Sequence, residues 1–516
     1  MRLTIISLLR IFGKIFFYLC LVLLCLYARL ERIAQVFSFG TISYLDSDCY
    51  TRMFRVKQLM LKAWPPMRFH TFENYPLGII SHATVPMDYL ILALAKCFNL
   101  FQRDRALDLA GALISPLLGL CLLIYLIIWT RPFFSFKARI AALIAYSLLP
   151  ALAWMQNIGR PDHQSLIVLC LTIAITLEAN LSRRPNSLWI QNFAALAWGL
   201  AFWTSLYEPG LLFLVFFIIQ TIRLKSNFFL KRPLWWGMLS LTLLLAFLVE
   251  GRIWFRWPTQ NSSFFLRWLS QIGELQPLDP LRATLWFGAW IWILPILFFS
   301  FTQTKLEKIW LTLFAPLTLF LIALTFWQMR WSGFLAIFIS IVVVPWLFQF
   351  SGRFWQTGVA LLLSIPFIAY IFHSNLKQSI SYESHDLKQI ASKIKTEGGI
   401  LAAWWQSPVL LYFSGAPIVA SSSHESLSGI EASCRFFTSV NWQESETILK
   451  ERQVKWIVIG DPHSLLEQSY KLLGLSNEKN QYAATLAARL YTVKAVPTAL
   501  KFRAAIQQFR LYEYAP

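Results

Sequence analysis

Long apolar runs separated by short polar gaps fill the first 373 residues of the chain. A bilayer-crossing helix needs about 20 consecutive apolar residues. Eleven runs meet or approach that length: 3–27, 106–130, 140–157, 164–181, 188–206, 209–222, 234–250, 283–302, 308–327, 332–350 and 355–373. A further stretch, 79–98, carries Pro86, Asp88 and Lys96 and follows a Pro-rich segment. From Ser374 the pattern changes. Lys, Glu, Ser and Gln alternate with short apolar strands such as KWIVIG (455–460), the signature of a soluble α/β domain. The expected fold class is a mainly α-helical polytopic membrane protein, residues 1–373, with a C-terminal soluble α/β domain, residues 374–516.

Composition agrees. Only 14% of residues are charged, against about 25% in soluble domains. The run from Leu3 to Tyr27 is too long for a signal-peptide core and lacks a small-x-small cleavage site, so it reads as a retained anchoring helix. The seven cysteines form no CxxC pair, which argues against a disulfide framework or a zinc knuckle. A net charge of +20 would suggest nucleic acid in a soluble protein, but here the basic residues sit between apolar runs. The lipid bilayer is the expected partner, and nucleic acid is not.

The positive-inside rule orients the spans. With 79–98 left out of the count and the N-terminus in the cytoplasm, the loops 131–139, 182–186, 223–232, 303–308 and 351–354 hold twelve Lys and Arg, while the outer loops after the third, fifth and ninth runs hold only Arg160 and Arg330. Counting 79–98 as a span would reverse them, so it is expected at the outer face as a juxtamembrane element. Two outer loops, 28–105 and 251–282, are basic against the trend. Their Arg residues, Arg52 and Arg55 among them, suit a phosphate.

The same topology places four polar features on one face. They are YLDSDCYTRMFRVKQL (44–59) with Asp46 and Asp48, GRPDHQSL (159–166) with Asp162, IGELQPLDP (272–280) with Glu274, and WQMRW (327–331) with Arg330. Converging carboxylates make a hard-oxygen site for Mg²⁺ or Mn²⁺, and such an ion neutralises a pyrophosphate leaving group. Each feature also has a plainer role: a turn, a helix cap for Asp162, a solvated loop for Glu274, an interfacial anchor for Arg330. Tyr207–Glu208–Pro209, at another outer gap, reads as a plain turn.

In this order and spacing the chain resembles the STT3-type oligosaccharyltransferase catalytic subunits, of the GT-C class of glycosyltransferases. DSDCYTRMFRV (46–56) followed by FENYPLG (72–78) is similar to the family's first outer loop. GRPDHQS is similar to its second acidic motif, and GELQP to its Glu-bearing loop. LAAWWQSPVLLYFSGAPIVASSSHES (401–426) is similar to the segment around its W-W-D-Y-G signature. The resemblance implies about 11 to 13 transmembrane helices and transfer of a glycan from a polyprenyl-linked donor to the Asn of an acceptor protein or peptide. The topology puts the active site on the face away from the cytoplasm, and the single-chain design without accessory segments points to the plasma membrane of a prokaryote. Asp48, Asp162 and Glu274 would be catalytic and, with Gln164, would hold the metal. Arg330, Arg52 and Arg55 would bind the donor, and Trp404, Trp405 and Gln406 the acceptor. The chain departs from the family at Gln406, where the signature has Asp, and at Gln164, where a second acid or His is usual.

Other readings remain: transfer of a single sugar from a polyprenyl phosphate to a lipid or glycan, a non-catalytic membrane scaffold, or a transporter. The near absence of ionisable residues at mid-span argues against transport.

Overall fold

A computed structural model describes residues 2–62, 64–181, 184, 186–224, 232–253, 262–288, 291–292, 310–345, 348, 382–476 and 479–516. Expected span 355–373 and loops 303–308 and 351–354 lie outside the described residues. So does the boundary between residues 373 and 374.

The apolar runs become helices Arg2–Arg29, Ala106–Trp129, Phe136–Leu148, His163–Leu181, Leu188–Thr204, Tyr207–Leu224 and Pro233–Glu250. The run 140–157 does not stay whole. Pro150 offers no N–H and biases Leu149 out of the helical region (φ −57°, ψ 117°), so a second short helix starts at Pro150 and ends at Met155. Among the described residues, three helices are long and apolar enough to cross a membrane: 103–129, His163–Leu181 and Pro233–Glu250. His163–Leu181 is buried almost all round, as an interior helix should be. Pro233–Glu250 instead leaves Leu241, Leu244, Leu245, Phe247 and Leu248 exposed, a face suited to lipid.

The ambiguous stretch 79–98 divides into a two-residue strand, Ile79–Ile80, and a 13-residue helix, Pro86–Phe98. At 1.5 Å per residue that helix is about 20 Å long, too short for a hydrocarbon core of about 30 Å.

In the C-terminal region a four-stranded sheet runs in the order Gly399–Leu401, Val454–Ile459, Phe509–Tyr514, Leu500–Ile506. The first pair is parallel and the others antiparallel. All of KWIVIG but its final Gly460 lies in Val454–Ile459, whose residues are nearly all buried, the pattern of an interior strand. Helix Pro462–Leu473 follows, with Asp461 capping its start and Gly474 left-handed after its end (φ 71°).

The C-terminal domain is sewn to the 28–105 segment by backbone. Ile418 N donates to Phe72 O at 2.9 Å, and Tyr75 N donates to Ile418 O at 3.0 Å. Ser421 Oγ donates to Glu73 Oε2 at 2.5 Å, and Glu73 Oε1 lies 2.7 Å from His70 Nδ1. Gly429, on helix Leu427–Thr438, sits under this seam. A Cβ there would lie 1.8 Å from Val419 O and 2.9 Å from Asn74 Oδ1. Gly429→Ala is therefore expected to cost about 3 kcal/mol or more. This is measurable as a lower unfolding temperature of the full chain in detergent, whereas Gly237→Ala, inside helix Pro233–Glu250 where a Cβ meets nothing within 4 Å, should not lower it.

Candidate functional site

The loop carrying Asp162 is held by its backbone from three sides. Ile158 N donates to Arg29 O at 2.9 Å, Gly159 N to Ala112 O at 2.9 Å, and Leu45 N to Gly159 O at 3.0 Å. Gly159 is left-handed (φ 73°), and a Cβ on it would strike Val36 at 2.5 Å, so the turn needs glycine. Asp162 thus arrives immediately before helix His163–Leu181. Asp48 lies in the first turn of helix Ser47–Leu61, whose N-cap is Asp46, accepting from Cys49 N at 3.0 Å. Glu274 sits in the short turn Gly273–Leu275. Its loop is anchored by Arg267, which donates to Leu472 O (2.6 Å) and Leu473 O (3.2 Å) at the C-terminal end of helix Pro462–Leu473.

These loops converge. Asp48 stays exposed to water, although protein surrounds it closely. Loss of bulk hydration, then the Asp46 carboxylate, push the Asp48 carboxyl from 3.8 up to about 7. Asp162 and Glu274 act in the same direction, and a hydrogen bond with Ser422 opposes them. Asp162 goes the other way. Burial alone would raise it, but His163, with Nδ1 at 2.7 Å, together with Arg160 and Arg52, holds it well below the usual carboxylate range. Arg160 is buried over the Trp154 ring at 3.5 Å and faces Asp46 at 3.6 Å and Asp162 at 3.7 Å. Gln164 Nε2 donates to Glu274 Oε2 at 2.7 Å. Arg330 Nη2 lies 3.7 Å from Glu274 and 2.6 Å from the buried Glu208. The Arg330 Nε–H is buried without a hydrogen-bond partner.

Two environments that drive two carboxyls apart suit distinct acid–base roles. The donor set, carboxylates with an amide alongside, suits a hard divalent cation, and the crowding that raises Asp48 is the charge such a cation would neutralise. The acids are not drawn tight, however. Ligand atoms about 2.1 Å from one ion are at most about 4.2 Å apart. Among the described residues, the trio whose ligand atoms all lie within 4.8 Å of one another is a different one: His82, His424 and Glu425. Binding at the acids requires their side chains to move inward.

Of the remaining expected residues, only Arg52 borders the acids. Arg52 and Arg55 both turn to the buried Asp88, at 2.9 Å and 2.8 Å, and Arg52 also reaches His163 Nδ1 at 3.1 Å. Trp404 and Trp405 meet edge to face at 5.4 Å. Trp404 packs on the cluster that joins Phe264, Phe265 and Trp268 to the C-terminal domain. Gln406 is buried, donating to Glu383 Oε1 at 3.0 Å and lying against Gly460.

The fold has known counterparts. No family model matches the chain. A curated relative, dolichyl-phosphooligosaccharide-protein glycotransferase 2 of Archaeoglobus fulgidus, is 27% identical over 158 residues, 30% of this chain and 26% of that protein. The matched stretch thus spans about a quarter of the relative. The crystal structure of an Archaeoglobus fulgidus oligosaccharyltransferase in the apo form superposes with a TM-score of 0.73 at 12% identity, covering 96% of this chain and 80% of that one. The archaeal oligosaccharyltransferase AglB from the same organism, in complex with an inhibitory peptide and a dolichol-phosphate, gives 0.71 at 13% identity, with 96% and 79% covered. A complex with Zn and sulfate gives 0.70 at 13% identity, with 95% and 79% covered. This chain has the oligosaccharyltransferase fold. The resemblance drawn from its motifs holds at that level, and so does a multi-pass membrane architecture.

Sequence reasoning passed over Glu208 and His163. Glu208 read as part of a plain turn, yet it carries the ion pair that orients Arg330. A lone Arg at a helix gap among acids needs a counter-ion, and Glu208 was the acid at the neighbouring gap. His163, adjacent to Asp162, was a visible hydrogen-bond partner whose role depended on which way the ring turned.

The raised Asp48 has a pH consequence. Folded, it keeps its proton up to about pH 7, while the unfolded chain releases it near 3.8. The contribution of Asp48 to the stability of the cation-free protein therefore falls as pH rises between those values. Infrared difference spectra should show a carboxylic C=O band titrating with a midpoint near 7 and missing in Asp48→Asn. A wild-type spectrum with no such band above pH 5 would contradict this account of Asp48.

Proposed function

We propose that the chain is a glycosyltransferase that moves a glycan from a polyprenyl (pyro)phosphate carrier to a protein acceptor, at the Asn side chain, on the membrane face away from the cytoplasm. In this reading residues 1–373 form the catalytic membrane domain and 374–516 an outward domain, in the plasma membrane of a prokaryote. The convergence of Asp48, Asp162 and Glu274 from three separate loops, within an oligosaccharyltransferase fold, carries the reading.

Asp48, Asp162, Gln164 and Glu274 would hold a divalent cation, Mg²⁺ or Mn²⁺, which when bound supplies Lewis-acid neutralisation of the leaving phosphate. The remaining work falls to the chain. His163 and Arg160 hold Asp162 ionised and fixed. Glu208 pins one end of the Arg330 guanidinium, leaving its Nε–H to donate to a donor phosphate oxygen. Asp88 holds Arg52 and Arg55, Arg52 beside the acids. Asp48, the acid still open to water, orients the incoming nucleophile. Trp404 and Trp405 offer ring surface to an acceptor peptide, while Gln406, turned inward to Glu383, shapes their turn. That inward turn is the one observation favouring the second reading, single-sugar transfer to a lipid or glycan, because it takes away the polar side chain expected to meet the acceptor.

The test uses the purified chain in detergent, a polyprenyl-diphosphate oligosaccharide and an Asn-x-Thr peptide, with glycopeptide read by mass spectrometry. Asp48→Asn and Asp162→Asn should each lower transfer by at least about 100-fold. Wild-type rates in both variants would end the metal-site mechanism, and sugar found on lipid rather than peptide would favour the second reading. EDTA should stop the reaction, with Mn²⁺ or Mg²⁺ restoring it. Full activity in chelator would remove the cation from the mechanism.

A further inference from the structure

His82 follows strand Ile79–Ile80 in the first outer loop, and His424 and Glu425 occupy the short turn His424–Ser426 of the C-terminal domain. More than 340 residues apart in the chain, they meet at the seam between the two parts. His82 Nδ1 lies 2.7 Å from Glu425 Oε1, and His424 Nε2 lies 3.6 Å from the same oxygen. The two imidazoles face each other at 4.4 Å, inclined by 31°. The backbone N–H of His82 also donates to Glu425 Oε1, at 2.8 Å, which fixes the carboxylate. The other oxygen, Oε2, is buried with no hydrogen-bond partner.

We propose that His82, His424 and Glu425 form a second divalent-cation site, selective for a Zn²⁺-like ion, that clamps the C-terminal domain to the first outer loop. Two imidazoles and one carboxylate, with a fourth position left to water, are a zinc donor set. Imidazole disfavours Mg²⁺ and so separates this site chemically from the acids. Ligands about 2.1 Å from a tetrahedral ion stand about 3.4 Å apart. The His424–Glu425 spacing nearly meets that already. The His82–Glu425 pair is closed by its hydrogen bond and must open slightly. It does so when the His82 ring takes the tautomer with its hydrogen on Nε2, which turns the Nδ1 lone pair to the ion. The backbone bond from His82 N stays in place and orients the carboxylate, as outer-shell donors do in zinc centres.

The clamp has a consequence beyond the seam. Ser422, two residues before His424, hydrogen-bonds Asp48, and Ser421 bonds Glu73. An ion holding His424 and Glu425 against His82 therefore also holds the segment that touches the acid cluster.

The test counts zinc on the full chain in detergent, stripped with chelator, equilibrated with Zn²⁺ and freed of unbound ion, by mass spectrometry of the metal. It is run in an Asp48→Asn/Asp162→Asn background, so that failure of the proposed catalytic site leaves the count unaffected. That background should hold one equivalent, and adding His82→Gln/His424→Gln should remove it. No zinc in the background, or an unchanged count after the histidine changes, would overturn the proposal. A second measurement guards against misfolding. Zn²⁺ should raise the unfolding temperature of the background protein, and Glu425→Gln should abolish that rise. A rise kept in Glu425→Gln would equally overturn the site.

Discussion

Like charges held close together are the constraint to which the candidate site answers. Asp46, Asp48, Asp162 and Glu274 come from segments up to about 230 residues apart, yet they act on one carboxyl, Asp48. Repulsion of this kind would drive the loops apart if nothing opposed it. The opposing groups are specific. Arg160 is flattened over Trp154 between Asp46 and Asp162, and His163 is bonded to Asp162 as well. Gln164 donates to Glu274. The Arg groups themselves are restrained by acids that stand back from the cluster, Arg330 by Glu208 and Arg52 by Asp88. The result is an alternating lattice of charges in which only Asp48 is left to carry the uncompensated repulsion.

The C-terminal domain takes part in the same arrangement. It touches the 28–105 segment through paired backbone at Phe72, Tyr75 and Ile418, an interaction that specifies position without depending on side-chain identity. It also anchors the Glu274 loop through Arg267 and the aromatic cluster of Phe264, Phe265 and Trp268. Two of the loops that carry acids therefore rest on one domain, so its seat on the membrane helices bears directly on the spacing of the carboxylates.

A TM-score of 0.73 at 12% identity fits this picture. Bilayer-spanning helices tolerate exchange among apolar residues of similar size, since lipid and helix interiors both ask only for apolar surface and satisfied backbone. What the architecture asks of individual positions is narrower: glycine at 159, where the backbone is left-handed, and at 429, where two backbones nearly touch.

The sequence by itself determined the kind of protein. Apolar run length located the helices, because membrane thickness sets one scale for all of them, and the change in pattern after the last run pointed to an α/β region, whose sheet lies within residues 399–514. Pro150 was in plain view as the residue that splits the 140–157 run. The acids and Arg330 were legible as charged residues at helix gaps, where water loss makes charge expensive. Which of them meet, and through whom, was settled only in three dimensions. Gln406 stands in a signature-like segment, yet its side chain turns to Glu383, 23 residues back. Arg52 and Arg55 read as free cations until Asp88, some 35 residues on, is seen between them. Glu208 and Arg330, or His82 and Glu425, share no spacing that a linear pattern could reveal. A side chain's partner depends on the rotamer and on whatever distant segment packs beside it, and both are properties of the folded chain alone.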